Sequence, residues 1–416
     1  MLDIQFAPVM KKILVNAYAV SPEMGSEPGM GWNWCVGLAR ECELFIITEG
    51  EFRERIESAL KILPQASNMH FYYNPVSDRV RKMCWNQGDW RFYIHYRRWQ
   101  RKTLSIAREI CRTHSIDILH QLNMIGFREP GYLWKIPDIP YVLGPTNCKF
   151  EYPLSYWKGA PFSERVRVVL KEIVSRLQIR YSPHLHQALR RASVVVTAST
   201  DAHDLFKKYL GVESIMINET GSEARSHPRE THSSDYLDIL WVGRFNLYSK
   251  LPALAVRSLK QAGNPRLRLH FVGPGNDTPF RRLAEELGVD AACRWYGTVS
   301  HGEVQKMMRQ MDVFLFTSVV EGTPHVVLES FSNGLPVICF DTCGQGDIVD
   351  EKTGIKIPLS NPDKSVIDFA NALNALDEDR YRLQSLSEAC CVRLKELSWD
   401  VKIRKMFDIY EQICSL

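Results

Sequence analysis

Two glutamates eight residues apart open the chemistry of this sequence. They bound the run Glu321-Gly-Thr-Pro-His-Val-Val-Leu-Glu329, which follows an apolar, strand-like stretch at 312–316. Pro324 suits the first turn of a helix, so the peptide N–H groups of residues 323–326 are expected to face an anion. Glu329, one turn further on, is then placed to accept two hydroxyl hydrogen bonds from a ribose. Taken singly, Glu329 reads equally well as a solvated helix residue, and Glu321 as a partner of the helix dipole. Arg244 and Lys250 share one loop after residues 238–242. There a guanidinium fork and a point charge can together neutralise a diphosphate, although an exposed Arg and Lys in a loop are often merely solvated. A third constellation is the glycine loop at 21–31, with Gly25, Gly29 and Gly31 ahead of a helix. It permits close approach to a phosphate, or it is a plain glycine turn with no ligand. Its G-x3-G-x-G spacing departs from the dinucleotide fingerprint G-x-G-x-x-G, and this leaves Glu49 as a minor candidate for a ribose-binding acid.

These loops need rigid elements beneath them. β-branched and aromatic runs recur at 12–16, 44–48, 70–73, 117–120, 140–143 and 193–197, with longer helical stretches between most of them. A second series follows at 238–242, 267–272, 293–296, 312–316 and 336–340. Strand and helix in alternation indicate parallel sheets, and the expected class is α/β with two doubly wound, Rossmann-like domains facing a central cleft. The polar stretch at 222–235 marks the boundary between them. The expected division is 1–222 as the first domain, 223–236 as linker, 237–398 as the second domain and 399–416 as a terminal helix.

In their order along the chain, the motifs resemble the retaining GT-B glycosyltransferases of the family 4 type, the glycosyl transferases group 1. The residues that carry the resemblance are the E-x7-E run ending at Glu329, Gly243-Arg244 with Lys250, Phe271-Val-Gly-Pro-Gly275, Tyr296-Gly297 and Gly25-Ser26. The resemblance implies that Arg244 and Lys250 hold a donor diphosphate, Glu329 the ribose and Glu321 the donor sugar. It also implies that the amides of His325, Val326 and Val327 contact sugar and phosphate, and that Gly25, Ser26 and Gly273 line the donor site. His120, at the end of the 117–120 run, resembles the family's strand-end histidine and joins Glu321 as a candidate catalytic residue. No cofactor and no metal are implied; the co-substrate is a nucleotide sugar, UDP- or GDP-linked. Departures from the pattern are Lys250 six residues after Arg244 where five is usual, Leu251 and Ser26 where glycines are common, and Asp347 in place of a glutamate.

The charge is unevenly spread. Residues 1–222 hold 29 Lys+Arg against 22 Asp+Glu, and the remainder holds 23 against 26, within a formal net charge of +4. The basic excess concentrates at 79–102, where eight Lys/Arg interleave with Trp85, Trp90, Phe92, Tyr93, Tyr96 and Trp99. Arg91, Arg97, Arg98, Trp99 and Arg101 are therefore candidates for a patch facing an anionic membrane or an acceptor, the alternative being that the aromatics pack in the core. A second basic stretch at 165–176 has helical apolar spacing and is able to dock alongside. No nucleic-acid recognition motif accompanies either. The expected acceptor is a glycan or lipid-linked saccharide of cell-surface polysaccharide assembly, such as lipopolysaccharide, capsule or exopolysaccharide. Competing readings are a nucleotide-sugar-binding protein of the same fold without transfer activity, and an NAD-dependent enzyme built on the Gly25 loop.

Composition narrows the classes. Of 416 residues, 45% are hydrophobic and 24% charged, with eleven cysteines and no C-x-x-C pair. This is a globular composition without a disulfide framework, and a reducing cytoplasm is expected, with contact at the inner face of the cytoplasmic membrane.

Overall fold

The structure is a computed structural model that describes residues 10–85, 90–124, 126–223, 234–245 and 248–415. Its first sheet contains β1 (Lys11–Ala17), β2 (Cys42–Thr48), β3 (Met69–Tyr73), β4 (Ile118–Asn123), β5 (Tyr141–Thr146), β6 (Val194–Thr197) and β7 (Ile215–Met216). The second contains β8 (Leu237–Val242), β9 (Leu267–Val272), β10 (Cys293–Gly297), β11 (Val313–Phe316), β12 (Val337–Phe340) and β13 (Gly354–Ile357). The orders are β3-β2-β1-β4-β5-β6-β7 and β10-β9-β8-β11-β12-β13, every pair parallel. These are the two expected doubly wound sheets. Leu44 to Ile47 in β2 and all of β11 are buried on both faces, because helices cover a parallel sheet on each side. β7 and β13 had no counterpart in the sequence reading: they are edge strands of two and four residues, too short to carry a periodic signal.

In each sheet the strand order reverses beside the first strand, between β1 and β4 and between β8 and β11. The loops leaving the carboxyl ends of these strands are where a ligand fits an open sheet.

The terminal helix Trp399–Cys414 returns to the first sheet. Ile403, Met406, Phe407 and Tyr410 join Trp34, Cys35 and Leu38 of helix Ser26–Leu38 in one core. Gly37 permits the two helices to close up, since a Cβ there would lie 2.6 Å from Ile403. The chain crosses between domains twice, and the crossings touch: Ser222 N–H donates to Leu397 O at 3.2 Å and Trp399 N–H to Ser222 O at 3.1 Å. Of the expected linker, residues 224–233 lie outside the described residues. One segment breaks the simple division of cores. Tyr156 and Trp157, from the first half of the chain, sit in the second domain's apolar core, where the Tyr156 ring stands edge-on to Phe340 at 5.6 Å.

Candidate functional site

Lys250 and Glu321 meet at the switch point of the second sheet. The Lys250 ammonium donates to Glu321 Oε1, which also accepts from Ser318 Oγ at 2.5 Å. The strand ends hold them there. Trp241 Nε1 donates to Thr317 Oγ1 at 3.0 Å, and that hydroxyl in turn donates to Lys250 O at 2.6 Å. Val319 N–H donates to Ser249 O at 3.0 Å, so the loops after β8 and β11 are tied along their backbones. Leu251 has φ +48°, a left-handed conformation that favours glycine and that a leucine holds at a cost. Its proline neighbour then begins helix Pro252–Ala262.

Arg244, in the loop after β8, is exposed, with no carboxylate partner among the described residues. Gly273 lies beneath it with φ +146°, and a Cβ there would fall 1.8 Å from Gly243 O. The two glycines let the ends of β8 and β9 touch, with Gly243 N–H donating to Val272 O and Gly273 N–H to Gly297 O. On the opposite domain, Gly25 caps helix Ser26–Leu38 without a side-chain bond, and Ser26 has φ +59° where the family pattern has glycine. Gly29 is required by packing, as its Cβ would lie 1.7 Å from Met24 O.

Helix His325–Ser332 starts as expected behind Pro324. Val326 is half-buried and Val327 buried, while His325 is exposed with its Nδ1 3.3 Å from Thr220 Oγ1. Glu329 is half-buried and pairs with His301 at 3.3 Å, a partner from the helix after β10 that the sequence reading did not find.

Two groups of residues were missed entirely. Glu219, just after β7, is buried and reaches across to the second domain: Thr323 N–H donates to its Oε1 at 2.8 Å, and Thr323 Oγ1 donates to its other oxygen. Behind it, Lys402 of the terminal helix is 4% exposed and donates to Asn218 Oδ1 at 3.3 Å. Burial lowers the Lys402 amine to about 7, against the pull of Glu219. The second group closes the other edge of the interface. Asp201 accepts from Lys149 Nζ at 2.5 Å and Cys343 N–H at 3.0 Å, and Asp347 accepts from Thr200 N–H at 2.9 Å and Thr200 Oγ1 at 2.6 Å. The only signal in the sequence was Asp347 itself, noted as a departure.

Several expectations are corrected. His120 does not face a donor sugar: it is 0% exposed, with Tyr410 OH donating to Nδ1 at 2.5 Å and Nε2 donating to Gly144 O at 2.6 Å. Burial lowers its pKa to about 4, against the Gly144 bond, so it is a neutral tie between β4, β5 and the terminal helix. Trp99 is no membrane contact, being 3% exposed in a cluster with Tyr18, Phe92 and Tyr96. Arg97 is drawn back to the buried Glu129 at 2.7 Å, whereas Arg91, Arg98 and Arg101 are exposed. Residues 86–89 of the 79–102 stretch lie outside the described residues. Glu49 has no room for a ribose, since Arg81 and the N–H groups of Glu51 and Val76 occupy both its oxygens. The Asp-x-Asp triplet of the chain, Asp377 to Asp379, is engaged within its own domain. Its first carboxylate binds Asn264, Arg266 and Arg380, and its second caps helix Arg380–Glu396.

Residues 222–390 match the family described as glycosyl transferases group 1. A lipopolysaccharide 1,6-galactosyltransferase of Salmonella typhimurium is 32% identical over 120 residues, which is 28% of this chain and 33% of that protein. The putative colanic acid biosynthesis glycosyltransferase WcaL of Escherichia coli is 28% identical over 212 residues, 48% of this chain and 52% of the relative. The matched regions span about a third to a half of the length of such curated relatives. The crystal structure of the Anabaena protein HepE in complex with UDP shares the fold, with TM-score 0.58 at 14% identity, covering 98% of this chain and all of that one.

Proposed function

We propose that this chain, whose residues 222–390 match the glycosyl transferases group 1 family, transfers a sugar from a nucleotide-diphosphate sugar to a glycan or lipid-linked saccharide in cell-surface polysaccharide assembly, retaining the anomeric configuration. The observation that carries the reading is the Lys250–Glu321 pair fixed by Ser318 at the switch point of the second sheet, with Arg244 exposed in the same loop as Lys250.

The chemistry follows from charge. Breaking the anomeric C–O bond leaves positive charge on the sugar and negative charge on the diphosphate, so Arg244, Lys250 and the first amides of helix His325–Ser332 stabilise the leaving group without requiring a metal. Donor binding would part Lys250 from Glu321, giving the ammonium to phosphate and the carboxylate to the sugar hydroxyls. Glu329 would exchange His301 for the ribose. The acceptor hydroxyl forms the new C–O bond on the face that the diphosphate leaves, and its proton passes to a departing phosphate oxygen. Closure of the two domains keeps water, the competing acceptor, out. The UDP in the complex of the structurally similar HepE makes a UDP-sugar the first donor to test.

Thermal shift with UDP, GDP, ADP and NAD(H) tests the reading, since a ligand at 100 times its dissociation constant adds about 2.7 kcal/mol. Stabilisation by UDP or GDP is expected in the parent and none in Arg244→Ala; stabilisation by NAD(H) alone would overturn the assignment. Product analysis with a nucleotide-sugar panel then separates transfer from binding alone.

A further inference from the structure

Helix Phe162–Tyr181 is inside out. Its buried residues are Val168, which packs in the second domain's core, and Ser175 and Ile179, which face the first domain, while Phe162, Val166, Leu170, Ile173, Leu177 and Tyr181 form an apolar stripe on the opposite side. The stripe residues recur every three or four positions along the full 20-residue helix, a length of about 30 Å. Their exposure runs from 39% at Val166 to 75% at Phe162. An amphipathic surface helix ordinarily turns such a stripe inward, so this one lacks its partner.

Charge identifies the partner. At 100° per residue, Arg165 and Arg176 flank the stripe on one side and Arg167 and Lys171 on the other, while Glu164 and Glu172 are half-buried toward the domain. Arg165, Lys171 and Arg180 have no carboxylate partner among the described residues. At its C-terminal end the stripe meets two adjoining pockets that share Pro183 and Gln187. The larger, about 400 Å³, is lined by Arg97, Arg101 and Lys135 with Tyr132 and Trp134, the smaller by Arg180 and Arg190 with Tyr181, and neither is lined by a carboxylate. A second copy laid along the stripe would bring these cations against their own kind. No described helix is long and apolar enough to cross a membrane, so a lipid contact here is one of lying on the surface.

We propose that helix Phe162–Tyr181 seats the protein on an anionic lipid bilayer, with the apolar stripe among the acyl chains near the interface and the flanking cations and basic pockets on headgroup phosphates. This gives a membrane contact to the transferase reading, on which it rests for its purpose but not for its binding energy. It also adds this helix to the exposed arginines of the 79–102 stretch, from which Trp99 is withdrawn into the core.

Flotation with vesicles of equal parts phosphatidylglycerol and phosphatidylcholine tests it. The parent should float with these vesicles, less so in high salt, and weakly with phosphatidylcholine alone. Leu170→Glu with Ile173→Glu should lower partitioning at least about tenfold, because two apolar anchors are lost. Arg101→Gln with Lys135→Gln and Arg180→Gln should lower it only on the anionic vesicles. A parent that stays in solution overturns the proposal, as do glutamate variants that float equally well. So does a parent that is dimeric in sedimentation while the glutamate variants are monomeric, which would assign the stripe to a second copy. Transfer to a water-soluble acceptor should survive in the glutamate variants, so its absence in the parent would count against the transferase reading and not against the seat.

Discussion

Glu219 belongs to the first half of the chain and spends its carboxylate on the second. With the Thr323 amide and hydroxyl as its donors, it fixes the turn between Glu321 and helix His325–Ser332, and there is little space to spare: a Cβ on Gly322 would lie 2.8 Å from Glu219 Oε1. Glu219→Ala leaves a buried amide and hydroxyl unanswered and should cost about 2–4 kcal/mol in urea unfolding. If the turn also places the donor, KM for the nucleotide sugar should rise in the same variant. His120 makes a different prediction. Its pKa, about 4 when folded against an ordinary 6.5, means that the unfolded chain takes up the proton first as pH falls. Its contribution is therefore present above pH 6.5 and is lost between about 6.5 and 4, up to about 3 kcal/mol. Urea unfolding across that window should show a shallower loss in His120→Gln than in the parent; equal slopes would refute the assignment.

At the scale of elements, the site depends on how closely strand ends approach. The carboxyl ends of β8 and β9 touch through Gly243 and Gly273, and the loop after β12 reaches the turn ahead of helix His325–Ser332 through Gly344, whose N–H donates to Gly322 O at 3.1 Å. Gly273→Ala combines a disallowed φ with a clash against backbone that cannot move alone. It should destabilise by about 3 kcal/mol, with loss of UDP stabilisation in the same thermal scan. The motifs quoted from the sequence lie at these strand ends because parallel sheets gather their loops on one side. Periodicity placed eleven strands but could not tell which faces of the intervening helices look outward. Helix Phe162–Tyr181 and the 79–102 stretch show why. Both read as apolar residues mixed with basic ones, yet Phe92, Tyr96 and Trp99 of the second are core, Trp85, Trp90 and Tyr93 are exposed, and the whole stripe of the first is solvent-exposed.

For the whole molecule, the domains are held closed by polar ties: Glu219 to Thr323, Asp201 to Cys343 and Asp347 to Thr200, with Tyr156 OH bonded to Ser365 Oγ at 2.7 Å. The polar ties are able to exchange with water, whereas Tyr156, Trp157 and Val168 remain seated in the second domain's apolar core. Asp201→Ala combined with Asp347→Ala should enlarge the radius of gyration of the ligand-free protein in X-ray scattering, and a UDP-sugar should restore part of the compaction. An unchanged radius would place the hinge constraint in the paired crossings at Ser222 and Ser398.

The sequence alone determined the two parallel sheets and the loops that leave their strand ends, because both rest on local pattern: strand periodicity and glycine placement within a few residues. Only the tertiary structure decided that His120 is sealed beneath Tyr410, that Glu219 reaches across to Thr323 while Lys402 is buried on Asn218, and that one helix turns its apolar face outward. Those facts join residues that the sequence separates by up to 290 positions, His120 and Tyr410 being the extreme. Burial and pairing at that distance arise from packing, which no local spacing records.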